Sequence, residues 1–147
     1  MMEDCKLVYK VILFSLLSVV LLCACGPAEE KLVFPLDKQE VGTTFSFTGY
    51  CEKRYDSIYI LHPYANVDEG VFAELKMSRS LRGVCRANTN FDYFSTLLFV
   101  NDGVVEAYSE PRVCDAIFSS SLISDSCNAF SFKQEFVLDE SRRVSLP

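Results

Sequence analysis

Apolar and polar positions alternate with period two over Thr43-Thr44-Phe45-Ser46-Phe47-Thr48, which predicts a half-buried strand stopping at Gly49. Ser57 to Leu61 is apolar on both faces and reads as a central strand, ended by His62-Pro63 because proline cannot donate to a ladder. Val71, Ala73, Leu75 and Met77 alternate as in a strand, although Ala73 to Met77 are also good helix formers; the alternation favours strand. Leu81 to Arg86 reads as a further strand, softened by Gly83. The sharpest local signal is the pair of runs Thr96–Val100 and Val104–Tyr108 around Asn101-Asp102-Gly103. Asp-Gly tolerates the positive φ of a tight reversal, so this is a predicted hairpin.

Beyond Pro111 the Ser-rich segment 115–126 breaks the pattern, with Ala116-Ile117-Phe118 and Leu122-Ile123 expected to form a short helical turn. Phe130, Phe132, Phe136 and Leu138 then share one face of a single amphipathic strand, which Val144 and Leu146 extend at the edge. Six or seven short strands between turn signals, without a long helical period, predict a mainly β domain. The expected form is a small antiparallel β-sandwich or barrel. Twelve phenylalanines, seven tyrosines and no tryptophan suit such a core.

The other apolar stretch is different in kind. Val11 to Leu22 follows Lys6 and Lys10 and ends in Leu22-Cys23-Ala24-Cys25, although Glu3 and Asp4 offset the cationic start. Leu22-Cys23-Ala24-Cys25 resembles the lipobox of bacterial lipoproteins. The resemblance implies cleavage before Cys25, lipidation of its thiol with palmitate-like chains, and acylation of the new amino terminus. It divides the chain into a signal peptide (1–24), a lipidated cysteine with a short tether (25–31) and one β-rich domain (32–147). Gly26 after the lipidated residue implies, in enteric-type bacteria, passage to the periplasmic face of the outer membrane instead of retention at the inner one. Two rival readings remain. A single permanent span needs ~20 apolar residues and must count through Lys10; ordinary signal-peptidase cleavage would leave Cys25 as a free thiol.

Fourteen basic against twenty acidic residues give a net charge of −6 with no basic run, which argues against nucleic acid and against electrostatic binding to anionic lipid. Arg142-Arg143 reads as a solvated strand end. Of the seven cysteines, Cys5 and Cys23 go with the leader and Cys25 with the lipid, leaving Cys51, Cys85, Cys114 and Cys127. An even number in an exported chain predicts two disulfide staples. Zinc is disfavoured because no two of them form a close C-x₂₋₄-C pair. Chain order favours Cys114–Cys127 with Cys51–Cys85 over a crossed arrangement, Cys51–Cys114 with Cys85–Cys127.

Catalytic signatures are sparse. The single histidine, His62, sits at a strand end, no serine lies in a G-x-S-x-G elbow, and no phosphate loop, metal-spaced set or calcium loop occurs. No cofactor or metal is therefore expected. Adjacent acids such as Asp68-Glu69 and Asp139-Glu140 suit acid–base work on a glycan only if the fold places two across a cleft. Tyr50, Lys53, Arg54, Tyr55 and Tyr64 combine the residue types enriched in protein-binding hot spots, and Phe91, Tyr93 and Phe94 form a second aromatic group. Strands also favour aromatics for packing alone. The leading expectation is a non-enzymatic envelope module that binds or protects against another protein, in the manner of inhibitors, immunity proteins or assembly accessories. The alternative is a small hydrolase or glycan-binding domain acting on peptidoglycan or another envelope polysaccharide.

Overall fold

The computed structural model describes residues 28–113, 115–119, 122 and 129–147. The leader, Cys25, Cys114, Cys127 and most of the Ser-rich segment lie outside the described residues. The strands are β1 (Glu30–Lys31), β2 (Thr44–Phe45), β3 (Ser57–Leu61), β4 (Thr96–Asn101), β5 (Val104–Ser109), β6 (Ile117–Phe118), β7 (Ala129–Ser131), β8 (Phe136–Leu138) and β9 (Arg143–Ser145), with helices α1 (Gly70–Glu74) and α2 (Arg79–Asn88) between β3 and β4. They form two open sheets, one ordered β1-β5-β4-β3-β7 and one ordered β2-β8-β9-β6. The mainly β expectation holds. Purely antiparallel pairing does not: β1 runs parallel to β5, and β6 parallel to β9. Neither sheet closes into a barrel.

β4 explains the arrangement. Leu97 and Phe99 point into one apolar cluster and Leu98 and Val100 into another, all four at most 2 % exposed, so the large sheet is covered on both faces. On the first face Phe45, Phe136, Leu138 and Val144 of the small sheet meet Ile58, Ile60, Leu97 and Phe99. On the second, Phe72 and Leu75 with Leu81 and Cys85 from the helices cover Leu61, Leu98, Val100 and Val105.

Both helical segments correct the strand expectations, for the same reason. Val71 and Ala73 are exposed, whereas Phe72 and Leu75, three apart, are buried; Leu81 and Cys85, four apart, share the buried face of α2. That is helical spacing, and the period-two pattern was coincidental. Ser78 starts α2 by accepting the Leu81 N–H at 3.0 Å on its Oγ. Gly70 begins α1 at φ +55°, a conformation glycine adopts freely. The hairpin forms as expected, with Asp102 at φ +47° and Gly103 at +73°, the paired positive angles of a tight two-residue turn. The predicted strand 130–138 is two strands in different sheets, broken by a turn at Phe132-Lys133. Phe132, Phe136 and Leu138 nevertheless enter the same core. Ile117–Phe118, expected in a helical turn, is strand β6. Phe47 to Tyr50 tightens into a 3₁₀ turn, so the first predicted strand is cut to Thr44–Phe45. Of the pair read as a solvated strand end, Arg143 is exposed at the start of β9, whereas Arg142 is half-buried and its guanidinium donates to the carbonyls of Leu36 and Asp115.

Ordered structure reaches back into the segment read as tether. The Glu29 carboxylate accepts from both the Ser78 N–H and the Ser78 hydroxyl at the start of α2. Glu30 and Lys31 then pair with Ala107 and Tyr108, and Lys31 makes an ion pair with Glu110. No helix among the described residues is long and apolar enough to cross a membrane.

Candidate functional site

The chain enters β3 through residues 51–56, and that connection carries most of the expected contact group. Tyr55 fixes it. Its ring packs on Phe99 and Phe132, both at 5.3 Å between centroids, and it is 6 % exposed. Tyr55 is therefore a core residue, not the surface contact expected of it. Burial, with the nearby Cys51 thiol and Glu30 carboxylate, pushes its hydroxyl up to about 12. The flanking backbone is stitched to the hairpin. Asp56 N–H donates to the Asn101 side chain at 2.8 Å, Asn101 donates to the Arg54 carbonyl at 3.2 Å, and the Asp56 carboxylate accepts the Asp102 N–H at 3.0 Å.

With the backbone held, the Lys53 and Arg54 side chains project outward. They form one wall of a cleft of about 640 Å³ with Thr48 and Cys51, faced by Ser131 and Lys133. Lys53 lies 3.8 Å from Glu30, an exposed pair of little energetic weight, while Arg54 and Lys133 make no ion pair among the described residues. Lys133 was missed by the sequence reading because only the turn between β7 and β8 brings it here; no local pattern signals a contact across that separation. Glu52 and Asp56 also line the cleft.

Tyr50 and Tyr64 do not join this group. Tyr50 packs edge-on against Phe34 and donates its hydroxyl to Gln39 at 2.8 Å. Tyr64 lies beyond the far end of β3, at φ +66° and 73 % exposed, with its N–H donating to the Thr89 carbonyl at 2.7 Å. Two residues past Thr89 begins the second aromatic group. Phe91, Tyr93 and Phe94 stack mutually, with centroids 4.8–6.3 Å apart, and Arg112 lies over the Phe94 ring. Phe91 and Tyr93 stay over 40 % exposed. The expected contact residues thus divide between two ends of the large sheet. Lys53 and Arg54 stand at the hairpin end; Tyr64 and the aromatic platform stand at the other. Below the platform, the Asp68 carboxylate receives two bonds from Arg86 and one from Arg82, and the Arg86 bonds hold its pKa below the usual carboxylate range.

The chemistry available at these places is limited. His62 is half-buried with Nδ1 2.6 Å from the Pro63 carbonyl oxygen. Cys51 and Cys85 are free thiols on opposite faces of the large sheet, so the expected Cys51–Cys85 bond is not formed. The helical turn of α2 aims Cys85 into the helix-covered core, whereas Cys51 packs against the core between the sheets. Burial pushes both thiols up to about 11, which disfavours the reactive thiolate. Cys114 and Cys127 lie outside the described residues. No cluster of three or more His, Cys, Asp or Glu is placed to hold a metal among the described residues. Compared with protein-family models, curated proteins and solved structures, the chain matches none.

Proposed function

We propose that the chain is a lipid-anchored bacterial cell-envelope lipoprotein, a non-enzymatic module that binds or protects against an envelope protein. The observation that carries this reading is Leu22-Cys23-Ala24-Cys25 at the end of an apolar run, five residues before the first strand. Palmitate-type chains on Cys25 hold the protein in the membrane, two or more together giving stable attachment. Gly26 favours the outer membrane over the inner. On this reading the scaffold is a small sandwich with Cys114–Cys127 as its remaining staple. The partner docks on the exposed, mutually packed Phe91 and Tyr93 and on the exposed Tyr64 at the same end of the sheet, the residue class that dominates protein-binding hot spots. No nucleic acid, metal or cofactor is required.

The test is cross-linking in native membranes, detergent purification and mass spectrometry, with a Phe91→Ser/Tyr93→Ser variant in parallel. One envelope protein recovered with the native chain and lost from the variant supports the reading. Equal recovery from both contradicts the assigned surface.

One observation favours a second reading. The cleft beside Lys53 and Arg54 is lined by two carboxylates, Glu52 and Asp56, as a glycan-cleaving or glycan-binding site would be. Asp56 is already committed to the hairpin turn, which leaves Glu52 as the acid–base group. Turnover of purified peptidoglycan that disappears in Glu52→Gln establishes this alternative and ends the first.

A further inference from the structure

The way the chain joins the large sheet fixes a direction. β1 is parallel to β5, so the chain reaches Glu30 from the side of Val104 and the Asp102–Gly103 turn. Just before it, Glu29 is pinned by two hydrogen bonds to Ser78. From Ser78, α2 runs 10 residues, about 15 Å, away from that end. It finishes where Asn88 donates to Thr96 and Glu110, beside Thr89 and the aromatic platform. Cys25 lies four residues before Glu29, so its Cα is within ~14 Å of the pinned position.

A flexible tether would let the domain tumble above its anchor. Here the leash ends on a bonded carboxylate and an edge strand. We propose that the lipoprotein stands on the membrane in a fixed orientation, with the hairpin end and the start of α2 facing the lipid headgroups and the aromatic platform facing away. This rests on the reading of Cys25 as the lipidated residue and deepens it, because it says which surface a partner can reach. The side chains at the lower end suit a headgroup layer: Arg54, Lys76 and Arg79 are exposed there with the acids Glu52, Asp56 and Asp102, and Val104 is an exposed apolar side chain beside them. Their mixed signs agree with an orientation set by the leash instead of by attraction to anionic lipid. The rival arrangement puts Phe91 and Tyr93 into the interface, where aromatic rings are also at home.

Mature, lipid-modified protein is reconstituted into phosphatidylethanolamine–phosphatidylglycerol vesicles containing a lipid with a nitroxide quencher on its headgroup. A fluorescent amino acid replaces Arg79 in one variant and Tyr93 in another; Arg54 and Phe91 provide a second pair if either fails to fold. The expected result is quenching several-fold stronger at Arg79 than at Tyr93. Equal quenching overturns the fixed orientation, and stronger quenching at Tyr93 replaces it with the rival one. Flotation of the same vesicles reads the anchor separately: protein that remains unbound at the bottom of the gradient refutes lipidation itself, and with it this orientation.

Discussion

Phe99→Ala should be among the most damaging single changes in this chain. The side chain is fully buried on β4, the central strand of the large sheet. Its ring meets four others: Phe34 at 5.5 Å, Phe47 at 6.1 Å, Tyr55 at 5.3 Å and Phe132 at 6.4 Å. Truncation removes the transfer free energy of the ring and leaves a cavity, together costing about 3–5 kcal/mol in typical cores. Four aromatic partners, and a strand β4 paired on both sides, limit collapse into the space. The expected loss is therefore toward the upper end, about 4–5 kcal/mol, against a total stability of roughly 5–15 kcal/mol for a domain. With a urea slope of about 1–3 kcal/mol/M, the midpoint should fall by roughly 2 M. Phe91→Ala is the matched control: the same chemistry at 43 % exposure, expected to cost about 1 kcal/mol. Equilibrium urea unfolding of both variants decides the matter. A Phe99→Ala loss no larger than that of Phe91→Ala would falsify the two-faced core.

Two further outcomes follow from the same packing. Cys51, Cys85 and Tyr55 ionise less readily in the folded state than in the unfolded one, with pKa raised from about 9 to about 11 for the thiols and from about 10 to about 12 for the phenol. Raised acid groups favour the folded state fully below the unfolded pKa, and that contribution disappears as pH climbs through the folded values. The urea midpoint should thus drop between pH 8.5 and pH 10.5, by less in a Cys51→Ala/Cys85→Ala double variant; an identical drop in that variant removes the thiols as the cause. Tyr64→Gly relieves a left-handed backbone at φ +66° and should leave stability equal or up to about 1 kcal/mol higher while weakening partner recovery. A clear loss of melting temperature would mean that Tyr64 is a packing residue after all.

The strands that carry the large sheet were legible because their signals are local. Ser57–Leu61 is apolar on both faces and is buried on both, and Asp102-Gly103 supplies the angles its turn needs. The helices were not legible. Phe72/Leu75 and Leu81/Cys85 bury at spacings of three and four, but Val71, Ala73 and Gly83 fall between them at the alternate positions that imitate a strand. The Phe130–Leu138 pattern gave the right inward residues and the wrong connectivity, since one amphipathic face can serve two sheets when a turn carries it across. The contact group was legible only in part, for a different reason. Residue type marks Tyr50, Tyr55 and Tyr64 alike, while their exposures of 40 %, 6 % and 73 % are decided by partners distant in sequence: Phe34 and Gln39, Phe99 and Phe132, and Thr89. Tyr50, Lys53, Arg54 and Tyr64 are exposed as the sequence suggested and Tyr55 is not, while Lys133 reaches Lys53 and Arg54 through the fold alone.

Cys25 carries the proposed envelope role. Cells expressing the native chain and the Cys25→Ser variant are labelled with radioactive palmitate, and the protein is recovered from membranes and resolved by size. The native chain should carry label and run as the shortened, mature form, whereas Cys25→Ser should remain as a longer, unlabelled precursor. Label that persists in Cys25→Ser, or a native chain that takes up none, contradicts the lipid anchor and the envelope role proposed from it.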